Sequence, residues 1–259
     1  MNNPGWHPVL ETESGDLAEL NAQRRWLLQA VHRDATWVVV LGVSFVLALL
    51  TSWERWADPI IDVGREMNQP FRLLSGEDLY SDVRHIYGPF SPWFHAGLYR
   101  LFGPSLSVLY ADGIVTATIV LGLVYWLGRQ VMGPAAAGAA TLHVMSLCLV
   151  KPAGNYVLPY SYNALHGSTF ALATLALLVA TLQRMNGPGR ATTPAAAFAL
   201  AGVVAGLSTL AKTEMGIPAV TAGIAAALLA GYPDLRRGLR FALVFAAPVV
   251  ILTIGGYAL

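Results

Sequence analysis

Apolar and polar positions are segregated into long blocks along this chain. Apolar runs cover residues 37–53, 106–127, 135–150, 164–182, 194–210, 216–230, and 241 onward to the last residue, Leu259. Each is close to the length that crosses a bilayer as a helix, about 20 residues, with 135–150 short at its polar end. The pattern predicts an all-α, polytopic transmembrane protein with about seven spans. The final run is still apolar where the sequence stops, so the chain is expected to be the N-terminal part of a longer protein.

The polar blocks differ from one another. Residues 1–36 are mixed in charge and have no short apolar core followed by a small-residue cleavage site. They read as a cytoplasmic tail, with 17–33 as a surface helix, ahead of a transmembrane domain over 37–259. The connections at 186–194 and 232–240 are plain linkers of Gly, Pro and Arg. The segment from Asp58 to Gly103, within the first external loop at 54–104, is dense in charge. It holds six of the fifteen acids (Asp58, Asp62, Glu66, Glu77, Asp78 and Asp82), four arginines and two histidines. Within it, Asp62 and Glu66 fall four apart on one helical face. Residues 75–78 read as a turn, and Tyr87-Gly88-Pro89 forces a bend. The aromatic stretch 92–102 suits a membrane interface, so short interfacial helices are expected.

Composition agrees with the block pattern. The chain is 55% hydrophobic and 12% charged with mean hydropathy +0.54, against about 25% charged in soluble domains. The formal net charge is +1 and no basic patch exists, so no nucleic-acid partner is expected. The lone Cys148 lies in an apolar run and reads as a small buried hydrophobe. With the N-terminus inside, nine of the sixteen Lys and Arg fall on the cytoplasmic side and seven outside, mostly in the one long acidic loop. Every short cytoplasmic connection carries arginine, which predicts an N-inside orientation. The 58–103 loop, the 151–167 segment and the 211–216 turn then share the external side.

Several other polar residues have two readings. Asp112 is a charge within the second span, a functional candidate by default or a group reaching the interface. His143 and His166 read as helix-packing residues. Tyr156, Tyr160 and Tyr162 suit an interfacial belt, and also suit stacking against sugars. His85 and His95 stand ten residues apart and fit no familiar zinc spacing, so no metal ligand is assigned. Lys212 lies at the end of an apolar helix, where it either snorkels or meets a phosphate.

The motifs Asp62-x-Gly64-Arg65-Glu66, Gly76-x-x-Leu79-Tyr80-x-Asp82, Tyr87-Gly88-Pro89 and Leu101-Phe102-Gly103 resemble the first external loop of GT-C-fold glycosyltransferases. The nearest in pattern are bacterial relatives of the protein O-mannosyltransferases and lipid A aminoarabinose transferases. The segment 205–214 resembles the family's lysine-bearing helix end. The resemblance covers roughly residues 37–224. It implies an inverting transfer from a polyprenyl-phosphate sugar to a glycan, lipid or protein acceptor, in a bacterial inner membrane. It places the catalytic base at Asp62, with Asp58 as alternative, and a second acid at Asp82. Arg65, Glu66, Arg84, His85, Tyr87 and Lys212 would bind the donor phosphate and sugar. Aminoarabinose transferases carry a lysine directly after that second acid. Here Val83 stands there, and Arg84 or His85 would supply the charge. No cofactor is assigned, and a divalent metal stays open, since some family members bind one. The rival readings are a lipid or solute transporter (a flippase among them) and a noncatalytic membrane subunit.

Overall fold

The computed structural model describes residues 33–55, 62–151, 155–187 and 194–258. The tail at 1–32, with its expected surface helix, and the alternative base Asp58 lie outside the described residues, as does the side chain of Asp62.

Among the described residues the chain is all-α, with nine helices: α1 (Arg33–Ser52), α2 (Asp62–Leu74), α3 (Phe90–Phe102), α4 (Leu106–Val131), α5 (Pro134–Leu149), α6 (Tyr162–Asn186), α7 (Pro194–Ala211), α8 (Thr213–Gly231) and α9 (Leu235–Ala258). Six of them, α1, α4 and α6–α9, are long and apolar enough to cross a membrane. The third expected span, α5, has 16 residues. At 1.5 Å per residue it is about 24 Å long, short of a hydrocarbon core of about 30 Å. The protein is a polytopic helical membrane protein.

The outer surface follows from that solvent. Val39, Leu47, Leu50, Leu243, Ile251 and Ile254 all point outward from α1 and α9. In water such surfaces would aggregate; in lipid they cost nothing, and the backbone polar groups are satisfied within each helix. Two apolar clusters form the interior. One gathers Leu109, Ala117, Met145, Leu149, Val157 and Tyr162, with α1 packed on it. The other gathers Phe198, Ala201, Ala205, Ala219, Phe241 and Phe245. Helix α6 contributes Leu165 to the first and Leu178 to the second, so it is the spine joining the two halves.

The polar loop is ordered by local chemistry. Helix α2 buries Val63, Glu66, Gln69 and Pro70 on one stripe. Its C-terminal Arg72 pairs with Glu77 across the turn and donates to the Asp82 carbonyl at 2.9 Å. Helix α3 starts directly after the Gly88-Pro89 bend and stops at Gly103, whose φ of 82° suits a residue without a side chain. Ser105 and Ser161 cap α4 and α6, accepting from the N–H groups of Val108 and Ala164. Helices α7 and α8 are separated by Lys212 alone, in extended conformation.

Candidate functional site

Helices α2 and α3, the 155–161 segment, the N-termini of α4 and α6, and the α7–α8 corner meet at one end of the bundle. Asn163, fully buried at the start of α6, donates through Nδ2 to the carbonyl oxygens of Gly88 and Ala211, 2.9 Å each. This ties the loop bend to the end of α7. Lys212 Nζ then stands 4.5 Å from the centre of the Tyr87 ring, within cation–π range. The His85 and Tyr87 rings meet edge-on at 6.0 Å, and His85 Nε2 lies 3.1 Å from the Gly88 carbonyl oxygen. Burial holds the His85 imidazole below its usual range, and the Arg65 charge acts in the same direction. Tyr80 donates to the Tyr87 carbonyl at 2.7 Å and stacks on Tyr257 from the end of α9.

Among the described residues Glu66 is the one buried acid of the loop, 4% exposed. Its carboxylate accepts from Arg65 Nη2 at 3.1 Å and from the Tyr162 backbone N–H at 3.4 Å. Arg65 also donates to the Tyr160 carbonyl at 3.0 Å. Burial pushes the Glu66 carboxyl above its ordinary value, and Arg65 offsets only part of that. Helix α2 thus carries Arg65 and Glu66 into the meeting point, three and four residues after the start of the helix at Asp62.

The predicted site residues therefore divide. Arg65, Glu66, His85, Tyr87 and Lys212 come together. Asp82 is exposed, and its carboxylate accepts the Asp78 N–H at 2.9 Å, holding the 78–83 turn. Arg84 also points outward; its carbonyl accepts from Gln69. Val83 is buried, so a lysine there would be drawn into an apolar interior. Beside the turn lies a cavity of ≈ 370 Å³ lined by Glu77, Asp78, Tyr80, Trp93 and Arg100 among others.

No family model matches the chain, and neither a curated protein nor a solved structure is significantly similar to it.

One group of residues was not assembled by the sequence. His95 Nε2 and His166 Nε2 lie 2.8 and 3.0 Å from the same oxygen of Asp112, Oδ2. Thr116 donates to Oδ1 at 3.3 Å, and Ser91 Oγ lies 2.9 Å from His166 Nδ1. All five side chains are buried. Asp112 is thus buried among hydrogen-bonding partners, and His166 is more than a packing residue. The three residues come from α3, α4 and α6, and no short spacing links them. Asp112 as a charge inside a span was the only signal. Tyr162 likewise leaves the expected interfacial belt: it is fully buried and donates to the Leu109 carbonyl at 2.7 Å.

Proposed function

We propose that the protein is a membrane glycosyltransferase that moves a sugar from a polyprenyl-phosphate donor to a hydroxyl acceptor on the extracytoplasmic side. The observation carrying this reading is the meeting of Lys212 with Tyr87, His85, Arg65 and Glu66, residues separated by up to 147 positions in the chain (212 − 65). Those positions are the ones the GT-C resemblance names for donor binding.

The chemistry asks little of the protein beyond placement. The acceptor O–H loses its proton to a carboxylate, Asp62 in this reading with Asp58 as the alternative. The acceptor oxygen attacks the anomeric carbon, and the bond from that carbon to the phosphate oxygen breaks. The lipid phosphate leaves with the electron pair, and the anomeric centre inverts. Lys212 and Arg65 hold the departing phosphate, with Arg84 at the rim. Asp82 acts indirectly, by keeping the turn beside the site. The cavity bearing Trp93, Tyr80, two acids and Arg100 suits a hydroxyl-rich ligand. The orientation that goes with this reading has a cytoplasmic N-terminus in a bacterial inner membrane.

The test is Asp62→Asn and Asp58→Asn in the full chain in nanodiscs, with a polyprenyl-phosphate sugar. One of the two is expected to lose transfer by about 100-fold or more while donor binding persists. Unchanged transfer in both variants rejects the base. Donor flux across vesicles without any transfer indicates a transporter instead.

A further inference from the structure

We propose that His95, Asp112 and His166 form a binding site for a divalent first-row transition metal ion of the zinc type, seated between α3, α4 and α6. The ligand set is two imidazole nitrogens and one carboxylate oxygen, and these atoms all lie within 4.8 Å of one another. Such a set suits zinc or iron(II) and leaves coordination positions open.

Four features favour an ion over a simple hydrogen-bonded node. First, both Nε2 atoms aim at a single carboxylate oxygen. Nitrogen and oxygen ligands of a tetrahedral ion with bonds of about 2.0–2.1 Å stand about 3.3 Å apart. The present N···O separations of 2.8 and 3.0 Å are a few tenths of an ångström below that value, and all three ligand atoms already lie within 4.8 Å of one another. Second, the buried Asp112 carboxylate is bonded by the two imidazoles and the Thr116 hydroxyl, with no Lys or Arg bonding it among the described residues. A buried carboxylate without a cationic partner is costly, and a divalent ion would offset that cost. Third, an outer shell exists. Ser91 Oγ lies 2.9 Å from His166 Nδ1, and the rings of Phe90, Phe94 and Tyr162 pack against the imidazoles. Such contacts fix ring orientation in metal sites. Fourth, there is a way in. An apolar groove of ≈ 520 Å³ between α3 and α4, lined by Phe94, Leu98, Phe102, Val108 and Val115, opens onto Asp112.

The proton balance is simple. In the hydrogen-bonded form each imidazole donates from Nε2, and His166 Nδ1 accepts from the Ser91 hydroxyl. On binding the ion each imidazole moves its proton to Nδ1, and His166 then donates to Ser91 Oγ. Asp112 enters as carboxylate, so the loaded site carries one net positive charge. Because the ligands join the loop helix α3 to spans α4 and α6, the ion would fix the loop against the bundle. This role stands whether or not the protein transfers sugars.

The experiment uses the full chain in nanodiscs, stripped with chelator and reloaded with Zn(II) or Co(II). Bound metal is counted by mass spectrometry, and affinity is measured against a chromophoric competitor. We expect one ion per chain, a Co(II) absorption spectrum of low-coordinate N/O type, and displacement of cobalt by zinc. His95→Gln and His166→Gln should each weaken binding by about 100-fold or more, and Ser91→Ala by about 10-fold. His143→Gln, on the exposed side of α5, should leave it unchanged. Should the histidine variants fail to fold, the wild-type cobalt spectrum and Ser91→Ala decide. Wild-type protein that takes up no ion above background, or an affinity that Ser91→Ala and His143→Gln change alike, overturns the proposal.

Discussion

Gly88 lies so close to Leu210 that a methyl group on its Cα would stand 1.8 Å from the Leu210 carbonyl oxygen. The bend of the polar loop therefore rests backbone to backbone on the end of α7. Gly88→Ala must push these elements apart, and overpacking of this kind costs about 1–3 kcal/mol. A lowered melting midpoint in nanodiscs is expected. A methyl group on the Cα of Gly97 in α3 would meet no neighbouring element within 4 Å. Gly97→Ala should be neutral or stabilising by about 0.5–1 kcal/mol, since alanine loses less entropy in a helix. Equal midpoints for the two variants would contradict the close approach.

Asn163 completes the same junction. Its amide satisfies two carbonyl oxygens that belong to different elements. Asn163→Leu keeps most of the volume and removes both donors, leaving the Gly88 carbonyl to His85 Nε2 alone and taking this donor from the Ala211 carbonyl, at a cost of about 1–3 kcal/mol. The expected loss exceeds that of Asn163→Gln if the longer amide still reaches one carbonyl. Cross-linking between cysteines introduced near positions 87 and 212 should also slow, because the loop is then free to leave α7.

Glu66 gives a pH dependence with an unusual sign. Its folded-state carboxyl is raised above the ordinary 4.5 by burial, against the opposing pull of Arg65, the Tyr162 N–H and the His166 ring. Between 4.5 and its folded value the native protein binds more protons than the unfolded chain. Stability from this group is therefore fully present below 4.5 and is lost as pH rises through the folded value. Acidification from neutral pH toward 4.5 should raise this contribution. His85 acts oppositely, since its lowered value favours the native state above about 6.5. The two separate by mutation: Glu66→Gln should remove the gain on acidification and leave the His85 loss. Melting midpoints for wild type and Glu66→Gln that run parallel across this range would refute the assignment.

Much of the architecture was legible because lipid imposes a simple rule on sequence. A span needs a long apolar helix, so hydropathy located α1, α4 and α6–α9 within a few residues. The run at 135–150, short at its polar end in the sequence, forms the 16-residue apolar helix α5, while six other helices are long enough to cross. The loop was legible where chemistry is local. Gly88-Pro89 bends and Gly76 turns for reasons contained in those residues. What depends on distant partners was not legible. Whether Glu66 is buried or solvated depends on α6 reaching it through Tyr162. Asp82 and Glu66 are both acids in one charged loop, yet only one is drawn inside. The His95–Asp112–His166 cluster joins positions 17 and 54 apart, a juxtaposition set by helix packing and not by any periodicity.

Lys212 offers the sharpest separation of site from scaffold. As the sole residue between α7 and α8, it is held extended by the corner itself. Its ammonium lies 4.5 Å from the centre of the Tyr87 ring, and no acidic side chain pairs with it among the described residues. A structural role would be a cation–π contact worth about 0.5–2 kcal/mol, which Tyr87→Phe retains and Tyr87→Leu loses. A phosphate-binding role adds a charge-assisted hydrogen bond of about 1.5–3 kcal/mol, available only with donor bound. Lys212→Met should therefore lower the melting midpoint only slightly and weaken binding of the polyprenyl-phosphate sugar by about 10- to 100-fold. Lys212→Arg keeps the charge and should recover much of that affinity, though the guanidinium alters the geometry. Tyr87→Leu should shift stability and donor affinity together, since it removes what orients the ammonium. If Lys212→Met and Tyr87→Leu lower the midpoint equally while donor affinity stays at the wild-type level in both, the lysine is a snorkelling residue and has no part in the proposed donor site.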